Sequence, residues 1–113
     1  MDQIASACGV QDHALKIDTR SLEVEALPLP KNVAIVIANS GVRRSLTSSA
    51  YNERRASCDQ AVEILSHCIP GITSLRDVSA ANFNRLADCL PEPIRSHARH
   101  VVEEMVRVDE AVI

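Results

Sequence analysis

The sequence predicts an α+β fold: three mainly antiparallel strands followed by three helices. Two stretches alternate apolar and polar residues with the period of a strand, and a β-branched apolar run follows them. From residue 49 onward the apolar residues recur at helical spacing instead. Strand patterns come first and helix patterns after, so the alternating order of βαβ units is absent, and so is any internal repeat.

Residues 13–18, HALKID, set Leu15 and Ile17 against Lys16 and Asp18, as a half-buried strand does. Residues 22–28, LEVEALP, alternate again, with Leu22, Val24 and Ala26 expected inward and Glu23 and Glu25 outward. Only Thr19-Arg20-Ser21 lies between them, which suits an antiparallel hairpin. Pro28-Leu29-Pro30 stops the second strand. Val33-Ala34-Ile35-Val36-Ile37-Ala38 then runs without alternation, the pattern of a strand covered on both faces. Ahead of the hairpin, Ile4-Ala5-Ser6-Ala7 reads as a first helical turn.

Asn39-Ser40-Gly41 predicts a turn, and Arg43-Arg44 with Ser45, Thr47, Ser48 and Ser49 a polar loop. Ser48 or Ser49 can cap the helix beyond it. On that helix Tyr51, Cys58, Ala61, Val62, Leu65 and Cys68 share one side, and Pro70-Gly71 ends it. Ser79 is the expected cap of a short helix carrying Phe83, Leu86, Ala87 and Leu90, stopped by Pro91. From Pro93 the apolar set Ile94, Ala98, Val101, Met105, Val108 and Val112 steps by 4, 3, 4, 3, 4, the stripe of a core-facing helix.

The 113 residues suit one compact chain of ordinary globular composition, 46% hydrophobic and 24% charged. Twelve Lys and Arg against fifteen Asp and Glu leave a net charge of −3. With no basic stripe, and with Tyr51 and Phe83 as the only aromatics, a general nucleic-acid binder is excluded. The longest apolar run has six residues, far short of the roughly 18 that a membrane span needs. A basic and then apolar leader is also missing, so no signal peptide is expected. Cys8, Cys58, Cys68 and Cys89 show no CxxC or zinc-site spacing. Cys58, Cys68 and Cys89 fall on or beside helical apolar faces. The expectation is buried, reduced thiols in a cytosolic protein, with a disulfide or metal role as the alternative.

Few residues declare chemistry by spacing. The three glycines, Gly9, Gly41 and Gly71, are too far apart to write a phosphate-cradling loop, and no HExxH, GxSxG or EF-hand pattern occurs. Asp2 reads locally as a carboxylate favourable to a helix N-terminus. Arg43-Arg44 and Arg54-Arg55 read as solvated charge, or as an anion site just after a buried strand. Tyr51 reads as a core or rim residue. His13, His67, His97 and His100 share no ligand spacing and read as surface or interface residues. Composition and spacing by themselves stop at an α+β segment of unassigned role.

Longer stretches go further. MDQIAS, HALKIDTRSLEVEALPLP, VAIVIANSGVRRSLTSSAYNERRASC, LRDV and ARHVVEE, in this order over residues 1–113, resemble the galactokinase branch of the GHMP kinases. N-acetylgalactosamine kinases share the MDQ and the Ala-Asn-Ser, but usually depart from the Arg-Arg and Tyr-Asn-Glu-Arg-Arg pattern present here. The resemblance implies a partial GHMP-kinase fold: residues 1–40 end the N-terminal domain and lead a strand into the next, and 41–113 form the helical part of the C-terminal domain. It implies a cytoplasmic kinase that transfers a phosphoryl group from ATP, with Mg²⁺, to the anomeric hydroxyl of α-D-galactose. Asp2 stands where the family has its catalytic base, which also holds the substrate hydroxyl. Tyr51 stands where a tyrosine lines the sugar pocket, and Arg43 where an arginine approaches the nucleotide phosphates. No metal ligand is assigned to this chain.

A carboxylate is a weak base for a sugar hydroxyl. In a loose phosphoryl-transfer transition state, however, the hydroxyl loses its proton late, and positioning and charge stabilisation do most of the catalysis. The departures from the family are omissions. The Gly-Glu-His segment that grips the sugar, the Gly- and Ser-rich phosphate loop and the Gly-Gly-Gly-Phe-Gly-Gly motif do not occur here. Ile4 replaces the usual Phe, and His67-Cys68-Ile69-Pro70-Gly71 resembles an insertion. Two expectations follow: the chain is a galactokinase segment, inactive on its own, or it is a non-catalytic relative acting as an interaction or sugar-sensing module. Exposed apolar surface left by the missing neighbours is expected to favour self-association.

Overall fold

The computed structural model describes residues 1–41 and 49–112. Its order is α1 (Asp2–Cys8), β1 (His13–Ile17), β2 (Val24–Pro28), α2 (Ser49–Ser66), α3 (Ala80–Leu86) and α4 (Ile94–Ala111), with single 3₁₀ turns at Leu75–Asp77 and Ala87–Cys89. The chain divides into two compact units, Met1–Val42 and Arg43–Ile113. The expected α+β character holds, with four α-helices and two strands among the described residues in place of three and three.

In the first unit β1 and β2 pair antiparallel, with Leu15 opposite Ala26 and Ile17 opposite Val24. The turn is wider than the three residues expected. Asp18 Oδ1 accepts from the amides of Arg20 at 2.8 Å and Ser21 at 3.1 Å, and the Leu22 amide donates to the Asp18 carbonyl at 2.8 Å. This local wrapping leaves Leu22 with φ 62°, a left-handed conformation that a strand cannot use. Leu22 is therefore not an inward strand residue but a 64% exposed turn residue. Ahead of the hairpin, the first-turn reading of Ile4–Ala7 extends into α1, whose seven residues include none that is buried.

The third strand is the main correction. Residues 33–38 carry no strand, and the one sheet has only β1 and β2 among the described residues. Val36 and Ile37 are 86% and 91% exposed. β-Branched residues supply the propensity for an extended chain, but a strand forms only where a neighbour meets its amides and carbonyls. The turn beyond this run is present: the Gly41 amide donates to Asn39 Oδ1 at 2.8 Å, and Gly41 takes φ 72°, which a glycine adopts without steric cost. The expected polar loop with Arg43, Arg44, Ser45, Thr47 and Ser48, and the cap from Ser48 or the Ser49 side chain, lie outside the described residues.

The second unit holds the core. Ala61 and Leu65 of α2, Phe83 of α3 and Ala98 and Val102 of α4 enclose it, with Leu75, Val78, Ala87 and Leu90 from the turns between them. Phe83, Leu65 and Leu90 are its largest fully buried side chains. Helix α3 starts where the sequence predicts, because Ser79 Oγ accepts from the Asn82 amide at 3.2 Å. The expected stripe on α4 holds from Ile94 through Ala98 and Val101 to Met105 and is widened by the buried Val102, whereas Val108 is exposed.

Candidate functional site

The residues expected to do chemistry are placed on helix ends. Asp2 is the first residue of α1, exposed, where a carboxylate faces unpaired amides and the positive end of the helix dipole. Tyr51 lies in the first turn of α2 and is 69% exposed. The face it shares with Cys58, Ala61 and Leu65 predicts a core or rim residue. The core, however, begins only at Ser57, and residues 50–56 are exposed throughout. Asp2 belongs to the first unit and Tyr51 to the second, and each is placed within its own unit. Arg43 lies outside the described residues.

Around the start of α2 the exposed cations are Arg54 and Arg55. Arg55 Nε stands 3.4 Å from the Asp59 carboxylate, one turn on. Such an exposed pair contributes about 0–1 kcal/mol and leaves Tyr51 and Arg54 open to solvent. The cysteines differ from the buried set expected: Cys8, Cys68 and Cys89 are exposed and only Cys58 is half-buried, all four as free thiols. Cys68 lies past the last turn of α2, and Cys89 sits on the outer side of its 3₁₀ turn. Burial pushes the Cys58 thiol above its ordinary value, helped by the neighbouring Asp59 carboxylate and opposed by Arg55.

Two polar clusters that spacing did not single out serve the fold. Asp77 Oδ2 accepts from the amides of Thr73 and Ser74, each at 2.9 Å, and from the Thr73 hydroxyl at 3.1 Å. Arg95 donates through Nε to the Leu90 carbonyl at 2.9 Å, while its Nη1 reaches Asp88 at 3.3 Å, which ties the turn after α3 to α4. Above the core, the Arg99 guanidinium lies 5.5 Å from the centre of the Phe83 ring. His97, expected at the surface, is half-buried, and its Nδ1 is buried without a hydrogen-bond partner.

These residues do not make a nucleotide–metal site among themselves. Among the described residues no three His, Cys, Asp or Glu side chains converge on a point where a cation could sit. Gly9, Gly41 and Gly71 stand in separate turns, with nothing like a run of backbone amides around an anion. Among the described residues, then, neither a cluster of metal ligands nor an amide cradle is present to hold a nucleotide with Mg²⁺. No helix of the described residues is long and apolar enough to cross a membrane.

The arrangement is an α+β segment with Asp2 and Tyr51, the described residues expected to do chemistry, on exposed helix starts. The solved Lactococcus lactis galactokinase in complex with galactose superposes on 88% of this chain with a TM-score of 0.70 at 28% identity, using 26% of its own length. The sequence agrees: the chain is 50% identical over 104 residues, 92% of its length, to a galactokinase of Roseiflexus sp. (strain RS-1). By sequence and by fold it matches a segment of the galactokinases, in the GHMP kinase superfamily. It spans about a quarter of their length, 27% in the Roseiflexus protein. No protein-family model matches it.

Proposed function

We propose that this chain is a segment of a galactokinase, an enzyme that phosphorylates α-D-galactose from ATP at the anomeric hydroxyl to give galactose 1-phosphate. The observation that carries the reading is the 50% identity over 104 residues to the Roseiflexus enzyme, supported by the likeness to the galactose complex of the Lactococcus enzyme. In this reading residues 1–40 close the N-terminal domain and 41–113 belong to the C-terminal one, in a cytoplasmic protein.

Asp2 holds the substrate hydroxyl by a charge-assisted hydrogen bond and accepts its proton late in the transfer. Its exposed position at the start of α1 leaves that carboxylate accessible. Tyr51 offers a phenol and a ring face to the sugar, and Arg43 a fork of donors to the phosphates. ATP and Mg²⁺ are gripped by parts of a complete galactokinase that this segment does not contain, so the 113 residues alone are inactive.

The test is a segment exchange. This chain replaces the corresponding segment of the Roseiflexus galactokinase, and galactose-dependent ADP release is followed. The expected result is turnover by the exchanged protein, a loss of at least about 100-fold in kcat on Asp2→Asn, and a raised KM for galactose on Tyr51→Ala with a smaller change in kcat. A folded exchanged protein that binds galactose but does not turn over would favour a non-catalytic relative. An active one indifferent to Asp2→Asn would remove Asp2 from the reaction.

The reading also accounts for the exposed run Val33–Ile37 as a strand awaiting neighbours, and it makes the isolated chain self-associating. Sedimentation at increasing concentration tests this: the chain should form larger species, and Val36→Lys should keep it monomeric. A monomer at all concentrations overturns the self-association.

A further inference from the structure

We draw no further inference here: the strongest candidate, the exposed apolar surface of the first unit formed by the β1–β2 hairpin and the run Val33–Ile37, carries nothing beyond the self-association already proposed, because nothing in the structure shows what else covers it.

Discussion

Asp77 shows how much one exposed carboxylate can do when its oxygens face unpaired amides. It satisfies the chain just before the Leu75–Asp77 turn, where no helix supplies partners. Asp77→Ala should lower the stability of the second unit by about 1 kcal/mol, read as a lower urea midpoint at unchanged slope. Cys58 should be the slowest of the four thiols to alkylate near neutral pH, because burial holds it protonated. Peptide mass spectrometry after a short iodoacetamide pulse gives the order, and a Cys58 labelled first would contradict the packing of α2. Glu92 is shifted the other way, below its ordinary value, chiefly by the hydrogen bond from the Ser96 hydroxyl at 2.6 Å. A carboxyl depressed in the folded state stabilises above its unfolded titration range, and that stabilisation is lost as the pH falls through the folded value. Ser96→Ala should therefore move the Glu92 titration upward, visible in carboxyl NMR shifts. His97 carries a buried nitrogen with no partner, so His97→Leu should leave the melting temperature unchanged or raise it. A drop of several degrees would mean that the ring is bonded in solution.

At the scale of elements, the helices were legible because each carries its own signal. Ser79 before α3, Pro91 after the turn that follows it, and the three-four spacing from Ile94 are local, and the structure keeps them. Their faces were legible only in part. Spacing selected Val101, which packs against the core, but missed the buried Val102 beside it and included Val108, which is exposed. Adjacent residues on a helix lie about 100° apart, so how wide the buried face is depends on what packs against it. Ala98 is fully buried where α4 meets α2. Ala98→Leu should thus cost about 1–3 kcal/mol by overpacking, whereas the same change at the exposed Ala111 should cost almost nothing. Equal effects at the two positions would mean that α4 docks through another face. The hairpin was legible as well, except at its turn and at Ala26, which was expected inward but is exposed while Leu27 beside it is half-buried. Alternation cannot foresee that the Asp18 side chain captures two amides and pushes Leu22 into a left-handed conformation.

Over the whole molecule, stability is unevenly distributed. Among the described residues all the buried apolar ones lie in the second unit, from Ala61 to Val102, and the first unit has none. A lone two-stranded hairpin is marginal in water. Hydrogen exchange should therefore protect the amides of α2 after Ser57 and the first three turns of α4, while β1, β2 and residues 33–41 exchange rapidly. Protection spread evenly over both units would show that the first one is covered in solution. Phe83→Ala should remove about 3–5 kcal/mol, enough to unfold the second unit. Circular dichroism would then lose its helical signal.

The sequence by itself determined the α+β class, the presence of the hairpin, the helix starts at Ser79 and Pro93, and the likeness to galactokinases, all carried by neighbours in the chain or by runs of matching residues. The tertiary structure decided what depends on distant partners. It placed Tyr51 in the open, because the residues of α2 ahead of Ser57 lie outside the core, and left Cys8, Cys68 and Cys89 exposed. It buried Val102 beside the expected Ala98 and Val101 and left Val108 exposed. It left residues 33–38 without a strand. Propensity is a property of the residues, but burial and pairing belong to whatever lies across from them.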